Sequence, residues 1–347
     1  MTVRATGIGS FPGDAQRDFD EALAVVLGEL TADGGIAFVP EVPGRGATAG
    51  MVGRTLGLVA ELDADLQPGG WRLTGTSGAP AVDQRRARSL LAQDLDAVEE
   101  RASTLAGAVK VQVAGPWTLA ATVERPRGDK LLADHGARRD LAQALAVAVT
   151  EHLADVRRRL PHAGELVLQL DEPALPAVLA GAVPTASGFG KHRTVHPPEA
   201  SEALGWVLEA AAAGGATPWV HCCAGDVPLG LLRGAGARGV MVDLGLLDAG
   251  GHDAAAEALE AGDTVALGVL PTGGRGGDLP GGLPGGLPGD REVVERVLRW
   301  LDMLGLDPEV VGGQLVVTPA CGLAGSTPAG ARRAIELVRS AARSLSG

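Results

Sequence analysis

The chain has 347 residues, 46% of them hydrophobic and 21% charged, with 30 Lys and Arg against 42 Asp and Glu for a formal charge of −12. This composition can bury a large core and excludes a disordered chain, and an acidic surface without a basic stripe or stacking aromatic cluster speaks against a nucleic-acid partner. No apolar run approaches the roughly 18 residues needed to span a bilayer, and Met1-Thr2-Val3-Arg4 opens no signal-peptide core, so a cytoplasmic protein without a membrane partner is expected.

In chain order, short β-branched segments alternate with long Ala/Leu/Arg-rich stretches. Strands are predicted at 3–8 and 36–39, followed by a Gly-rich segment at 42–53 that reads as a folded-over active-site loop. A helix at 83–107 leads to a strand at 109–114, and a helix at 137–160 to a strand at 166–170. A helix at 198–213 precedes strands at 218–221, 239–244 and 264–270. A low-complexity Gly/Pro loop then fills about 273–289, before a helix at 292–304, a strand at 315–318 and a closing helix at 329–345. Eight strands alternating with helices imply a parallel sheet with right-handed crossovers. A closed (β/α)8 TIM barrel formed by residues 1–347 as one domain is expected, with an open doubly wound sheet as the alternative.

In such a barrel the working residues lie where strands end. The fifth predicted strand ends in His221-Cys222-Cys223. Positions two apart on a strand face one side, so His221 and Cys223 can share the mouth while Cys222 points away. Cys321 follows the eighth strand. Three soft or borderline ligands at one mouth suit Zn2+, and Asp243, at the tip of the sixth strand, is the natural fourth ligand or an open-site neighbour. The competing reading is two small core hydrophobes beside a hydrogen-bonded histidine. Asp171-Glu172, leaving the fourth strand, could hold an ammonium or serve as acid or base. Glu172 better fits a carboxylate at a helix N-terminus ahead of Pro173. Gly7-Ile8-Gly9-Ser10 allows close backbone approach and could grip a small carboxylate through its N–H groups. Gly188-Phe189-Gly190-Lys191-His192-Arg193 reads as a solvated basic loop.

These segments resemble the catalytic half of cobalamin-independent methionine synthase. The likeness rests on Ile8-Gly9-Ser10-Phe11-Pro12, Gly115-Pro116-x-Thr118, Leu170-Asp171-Glu172-Pro173-Ala174, His221-x-Cys223 and Cys321-Gly322-Leu323, in matching order over most of the chain. The resemblance implies a zinc-dependent methyl transfer to a small-molecule thiol, homocysteine, to give methionine. On it, His221, Cys223 and Cys321 hold zinc, the Ile8-Gly9-Ser10 turn contacts the acceptor's carboxylate, and Asp171 contacts its ammonium, with Glu41 beside it.

Four departures from the family pattern shape the expectation. Asp243 stands where the family has a Glu ligand. Leu270-Pro271-Thr272-Gly273 replaces an Asp-x-His whose His serves the folate donor. A second, N-terminal barrel is absent, and the Gly/Pro loop is inserted beside the site. The losses fall on the donor side, so the expected donor is methyltetrahydrofolate or, better suited to them, a methylated corrinoid protein. Another zinc-dependent thiol alkyltransferase and a non-catalytic thiol- or metal-binding relative are the alternatives. A uroporphyrinogen decarboxylase fits least, because the mouth segments hold few Arg residues.

Overall fold

A computed structural model of the chain describes residues 2–32, 34–75, 81–272 and 287–347. The predicted loop at 273–289 therefore lies outside the described residues over all but its last three positions. Eight parallel strands run around a barrel: β1 (Arg4–Ala5), β2 (Ile36–Phe38) and, after a small hairpin of β3 (Ala64–Gln67) and β4 (Gly70–Leu73), β5 (Ala108–Ala114), β6 (Glu165–Asp171), β7 (Thr217–Cys222), β8 (Gly239–Asp243), β9 (Thr264–Leu270) and β10 (Leu315–Pro319). The helices outside them are α1 (Gln16–Leu30), α2 (Met51–Leu58), α3 (Val82–Ala102), α4 (Pro116–Thr122), α5 (His135–Arg159), α6 (Leu175–Leu179) and α7 (Pro197–Ala213). They continue with α8 (Leu229–Gly234), α9 (Ala249–Glu260), α10 (Asp290–Met303), α11 (Pro308–Val311) and α12 (Pro328–Ser346). None of the described helices is long and apolar enough to cross a membrane.

The strand order β1-β10-β9-β8-β7-β6-β5-β2 leaves the two N-terminal strands at the ends of the ladder. An open doubly wound sheet would instead reverse direction at a switch point. The seam closes just beyond those strands, where Ser10 and Glu41 form a parallel bridge. There Phe11 N donates to Glu41 O at 2.7 Å and Glu41 N donates to Gly9 O at 3.0 Å. Closure thus uses the backbone of the turn and of the Glu41 residue that the sequence placed at the mouth.

Period-two alternation sorts the side chains. One set packs against the helices in the main apolar core. The other fills the barrel axis, where Ile8, Ile36, Val167, Trp219, Met241, Ala266 and Val316 make a separate apolar cluster. Polar residues share the interior with this plug: Lys110 and Gln112 on β5, Gln169 and Asp171 on β6, and His221 on β7, all buried. Two places differ from the sequence reading. The segment after residue 42 winds into a short 3-10 turn at Pro43–Arg45 and then starts α2 within the supposed loop. The β3–β4 hairpin (unmarked by any Asn-Gly or Asp-Gly signal) pairs antiparallel outside the barrel.

Candidate metal centre

His221 sits on β7 and Cys223 just after it, so the strand's alternation puts both on the interior side; Cys321 arrives from the end of β10. One ligand atom from each of these three residues lies within 4.8 Å of the others, close to the spread that an ion with bonds of about 2.0–2.3 Å bridges. The two sulfurs are 3.1 Å apart. The contact between them raises the pKa of Cys223, with burial adding to it. The same contact lowers Cys321 to about 6. Cys222 points into the apolar layer as expected, where burial pushes its thiol up to about 12.

The histidine is oriented for ligation. Its Nδ1 lies 2.7 Å from Asp171 Oδ1, an atom that also accepts from Gln169 Nε2 at 2.8 Å. A carboxylate oxygen accepts, so Nδ1 carries the hydrogen and Nε2 presents its lone pair. Nε2 is buried and has no hydrogen-bond partner. A buried polar atom left without a partner is costly, and a metal beside two thiolates would supply what it lacks. The donor set suits zinc for the same reason.

Ile8, Gly9, Ser10, Glu41, Asp171, His221, Cys223 and Cys321 all line one cavity of about 270 Å³. Asp243 is not among the residues lining it, nor among the three whose ligand atoms converge. Its Oδ1 accepts from Gly245 N at 2.8 Å and so caps the turn that follows β8. Glu172, fully buried, accepts from Trp117 N, Thr118 N and Thr118 Oγ1, capping α4 rather than the helix expected to follow it. Phe189 in the basic loop is almost wholly exposed and takes no part in the cavity.

Burial raises Glu41 to about 7, opposed chiefly by Arg54, whose Nε lies 3.9 Å away. Arg54 in turn donates to the fully buried Asp94, which also receives two bonds from Arg45 at 2.8 and 2.7 Å. The carboxylate beside the cavity is thereby tied to α3 and to the turn carrying Pro43, another lining residue. Pro43 and Met51, from the 42–53 segment expected to fold over the site, line the cavity, as do Gln112, Ala324 and Gly325, which had not been singled out in the sequence. Of these, Gln112 was detectable: in Ala108-Val-Lys-Val-Gln-Val-Ala114, polar residues every second position inside an apolar strand mark the barrel interior.

Gly322 lies where β10 meets the turn after β1. A Cβ built there would come 2.1 Å from Ser10 Oγ, while Leu323 N donates to Ser10 O at 2.9 Å. Gly322→Ala should therefore displace Ser10, whose hydroxyl the added methyl meets, while keeping the backbone N–H that Gly322 gives to Cys321. If the Ile8-Gly9-Ser10 turn grips a small carboxylate, as expected from the sequence, the result should be roughly tenfold weaker binding of that ligand, on the scale of one misplaced hydrogen bond, with metal content unchanged by elemental analysis.

A family model described as the catalytic domain of cobalamin-independent synthase matches residues 87–344. No curated protein matches the sequence. Among solved structures, a B12-independent methionine synthase from a Shewanella species, in complex with selenomethionine, superposes with a TM-score of 0.60 at 13% identity, covering 99% of this chain and 97% of that one. The metallated homocysteine methyltransferase of Escherichia coli is also similar at 13% identity, over 75% of this chain and 90% of that one, but its TM-score of 0.28 gives that likeness no weight.

Proposed function

The chain belongs to the family of cobalamin-independent methionine synthase catalytic domains, and from that premise we propose that it transfers a methyl group to the sulfur of homocysteine, giving methionine, at a zinc ion held by His221, Cys223 and Cys321. The observation that carries this reading is the buried, unpartnered Nε2 of His221, a residue grouped with Cys223 and Cys321 at a cavity also lined by Ser10, Glu41 and Asp171.

Zinc, when bound, makes the acceptor thiol available as a thiolate near neutral pH, where a free thiol is mostly protonated. The chain's own residues do the rest. Asp171 uses Oδ1 to fix the His221 ring, leaving Oδ2 for the acceptor's ammonium. Glu41 adds a second negative charge when ionised, and the Ile8-Gly9-Ser10 turn offers N–H groups to the carboxylate. Held at both ends, the amino acid would be oriented with its sulfur toward the His221, Cys223 and Cys321 group, which converts a bimolecular encounter into an oriented one. The sulfur's electron pair then forms the new S–CH3 bond, and the pair of the broken bond leaves with the donor. With Asp243 engaged in capping, His221, Cys223 and Cys321 are the residues that would hold the ion.

Among the described residues, β9 runs out into Leu270-Pro271-Thr272, with no Asp-x-His there to supply the acid that a pterin donor calls for. This favours a methylated corrinoid protein over methyltetrahydrofolate. Single-turnover assays of the zinc-loaded protein with homocysteine, using methylcobalamin or methyltetrahydrofolate, test both: methionine should appear with the first and not the second. Methionine from neither donor would refute the proposed transfer, and methionine from the folate alone would reverse the donor assignment.

Glu41 gives this reading a pH signature. Its carboxyl, raised to about 7, is protonated below that value and then offers no charge to the ammonium. The acceptor's KM should rise as pH falls through about 7. Glu41→Gln should raise KM roughly tenfold or more at pH 8, the range for a hydrogen bond to a charged group, and flatten that acid limb. An unchanged limb in the variant would remove Glu41 from acceptor binding.

A further inference from the structure

Lys110 is fully buried on β5 and makes no ion pair among the described residues. Its Nζ donates to Ile8 O at 2.8 Å and to Gln169 Oε1 at 2.6 Å, and it lies 5.0 Å over the Phe38 ring. Gln169, also fully buried, spends its amide completely: Nε2 donates to Ile8 O at 3.0 Å and to Asp171 Oδ1 at 2.8 Å. From Asp171 the chain of bonds continues to His221 Nδ1.

We infer that Lys110 and Gln169 are positioning residues, a buried donor relay that fixes the ring of His221 and the Ile8-Gly9-Ser10 turn together. The inference rests on the reading of His221 as a metal ligand. The other side of the Gln169 amide meets two acceptors, Ile8 O and Asp171 Oδ1, so the amide oxygen must turn toward the Lys110 amine, which donates to it. The amide N–H groups must then turn toward Ile8 O and Asp171. Reversing the amide would set its oxygen against two acceptors and its NH2 against the amine. Asp171 thus receives a hydrogen from below and can offer His221 only acceptance, which keeps the hydrogen on Nδ1 and the lone pair on Nε2. The logic holds whether Lys110 is charged or neutral, because either form has two hydrogens for its two acceptors.

A plain core-filling role fits poorly. Burying an amine is expensive, and an apolar residue of similar length would fill the space at lower cost. Here every polar bond of the lysine goes either to the turn lining the acceptor cavity or to the amide that orients the ligand histidine. Burial moves Lys110 down to about 7 against the pull of Asp171 and Glu41, in keeping with that cost.

The test uses the full-length protein and its Lys110→Met, Gln169→Glu, Asp171→Asn and Lys110→Met/Asp171→Asn forms. Zinc affinity is read by chelator competition, and the His221 tautomer of the metal-free protein by 15N-histidine NMR. Removing an outer-shell partner commonly weakens metal binding 10- to 100-fold, so Lys110→Met should lose roughly tenfold in zinc affinity. The double variant should bind no worse than Asp171→Asn by more than about twofold, because both changes break one chain of bonds. The NMR should show a single Nδ1–H tautomer in the wild type and a mixture in Lys110→Met. Gln169→Glu keeps an acceptor for Lys110 but withdraws the N–H from Asp171, and it should reproduce the loss even if Lys110→Met does not fold. Affinity of Lys110→Met and Gln169→Glu within about twofold of wild type, losses that multiply in the double variant, or an unchanged tautomer would overturn the relay. A wild-type protein that takes up no zinc would refute the metal reading instead, and the tautomer measurement would still decide the relay.

Discussion

If the proposed function holds, Cys321→Ser should lose nearly all bound zinc and, with it, methyl transfer. Structural zinc sites bind with roughly 10–16 kcal/mol shared among about four ligands, so losing one thiolate should cost about 3–4 kcal/mol, or two to three orders of magnitude in affinity. Serine is close to isosteric, but its hydroxyl keeps its proton at neutral pH and is a poor partner for a borderline-soft ion. The half-buried position of Cys321 at the cavity edge means that its loss opens no core void. The folded barrel should therefore survive, with circular dichroism unchanged while elemental analysis falls from about one zinc per chain toward none. Retention of a full equivalent at the wild-type affinity would exclude Cys321 from the centre.

Asp94→Ala carries the largest expected effect on stability. Asp94 is completely buried on α3 and accepts from both Arg45 and Arg54, whose side chains are only 5% and 7% exposed. Truncating it leaves two guanidinium groups in the interior without their shared carboxylate. Removing one partner of a buried ion pair costs about 3–5 kcal/mol, which in a domain of this size lowers Tm by roughly 4–7 °C. A second consequence reaches the site. With Asp94 gone, Glu41 is the carboxylate left beside Arg54, so the Glu41 carboxyl should ionise more readily and the acid limb of the acceptor KM should move below pH 7. Scanning calorimetry and a KM profile from pH 5.5 to 8.5 check the two parts separately. A Tm within 2 °C of wild type would show that Asp94 does not hold this network.

The barrel was legible because its strands are short β-branched runs and its long helices have apolar residues three and four apart. Every predicted strand overlaps one in the structure, and the long helices agree to within a few residues except where α3 ends early at Ala102. The hairpin β3–β4 escaped notice because Ala64-Asp-Leu-Gln and Gly70-Trp-Arg-Leu are short and mixed in polarity. The metal group was legible from His221-x-Cys223 because alternation along a strand is a local rule. Asp243 shows the limit of that rule: it stands at a strand tip, but its side chain turns back to an N–H two residues on. The role of Asp171 as the partner of His221 depends on β6 and β7 standing in register, Asp171 opposite His221, which neither segment reveals alone. The same holds for Lys110, whose bonds run to β6 and to the turn after β1.

Binding of homocysteine to the Co2+-substituted protein tests the proposed chemistry most directly, because it needs no knowledge of the methyl donor. Cobalt held by His221 and two thiolates should show sulfur-to-metal absorption. One equivalent of homocysteine should intensify that absorption and release a proton as a third sulfur joins, and methionine should compete for the site. Homoserine, with a hydroxyl in place of the thiol, should produce neither change. A cobalt-loaded protein whose spectrum stays constant through saturating homocysteine would contradict thiol activation at this centre.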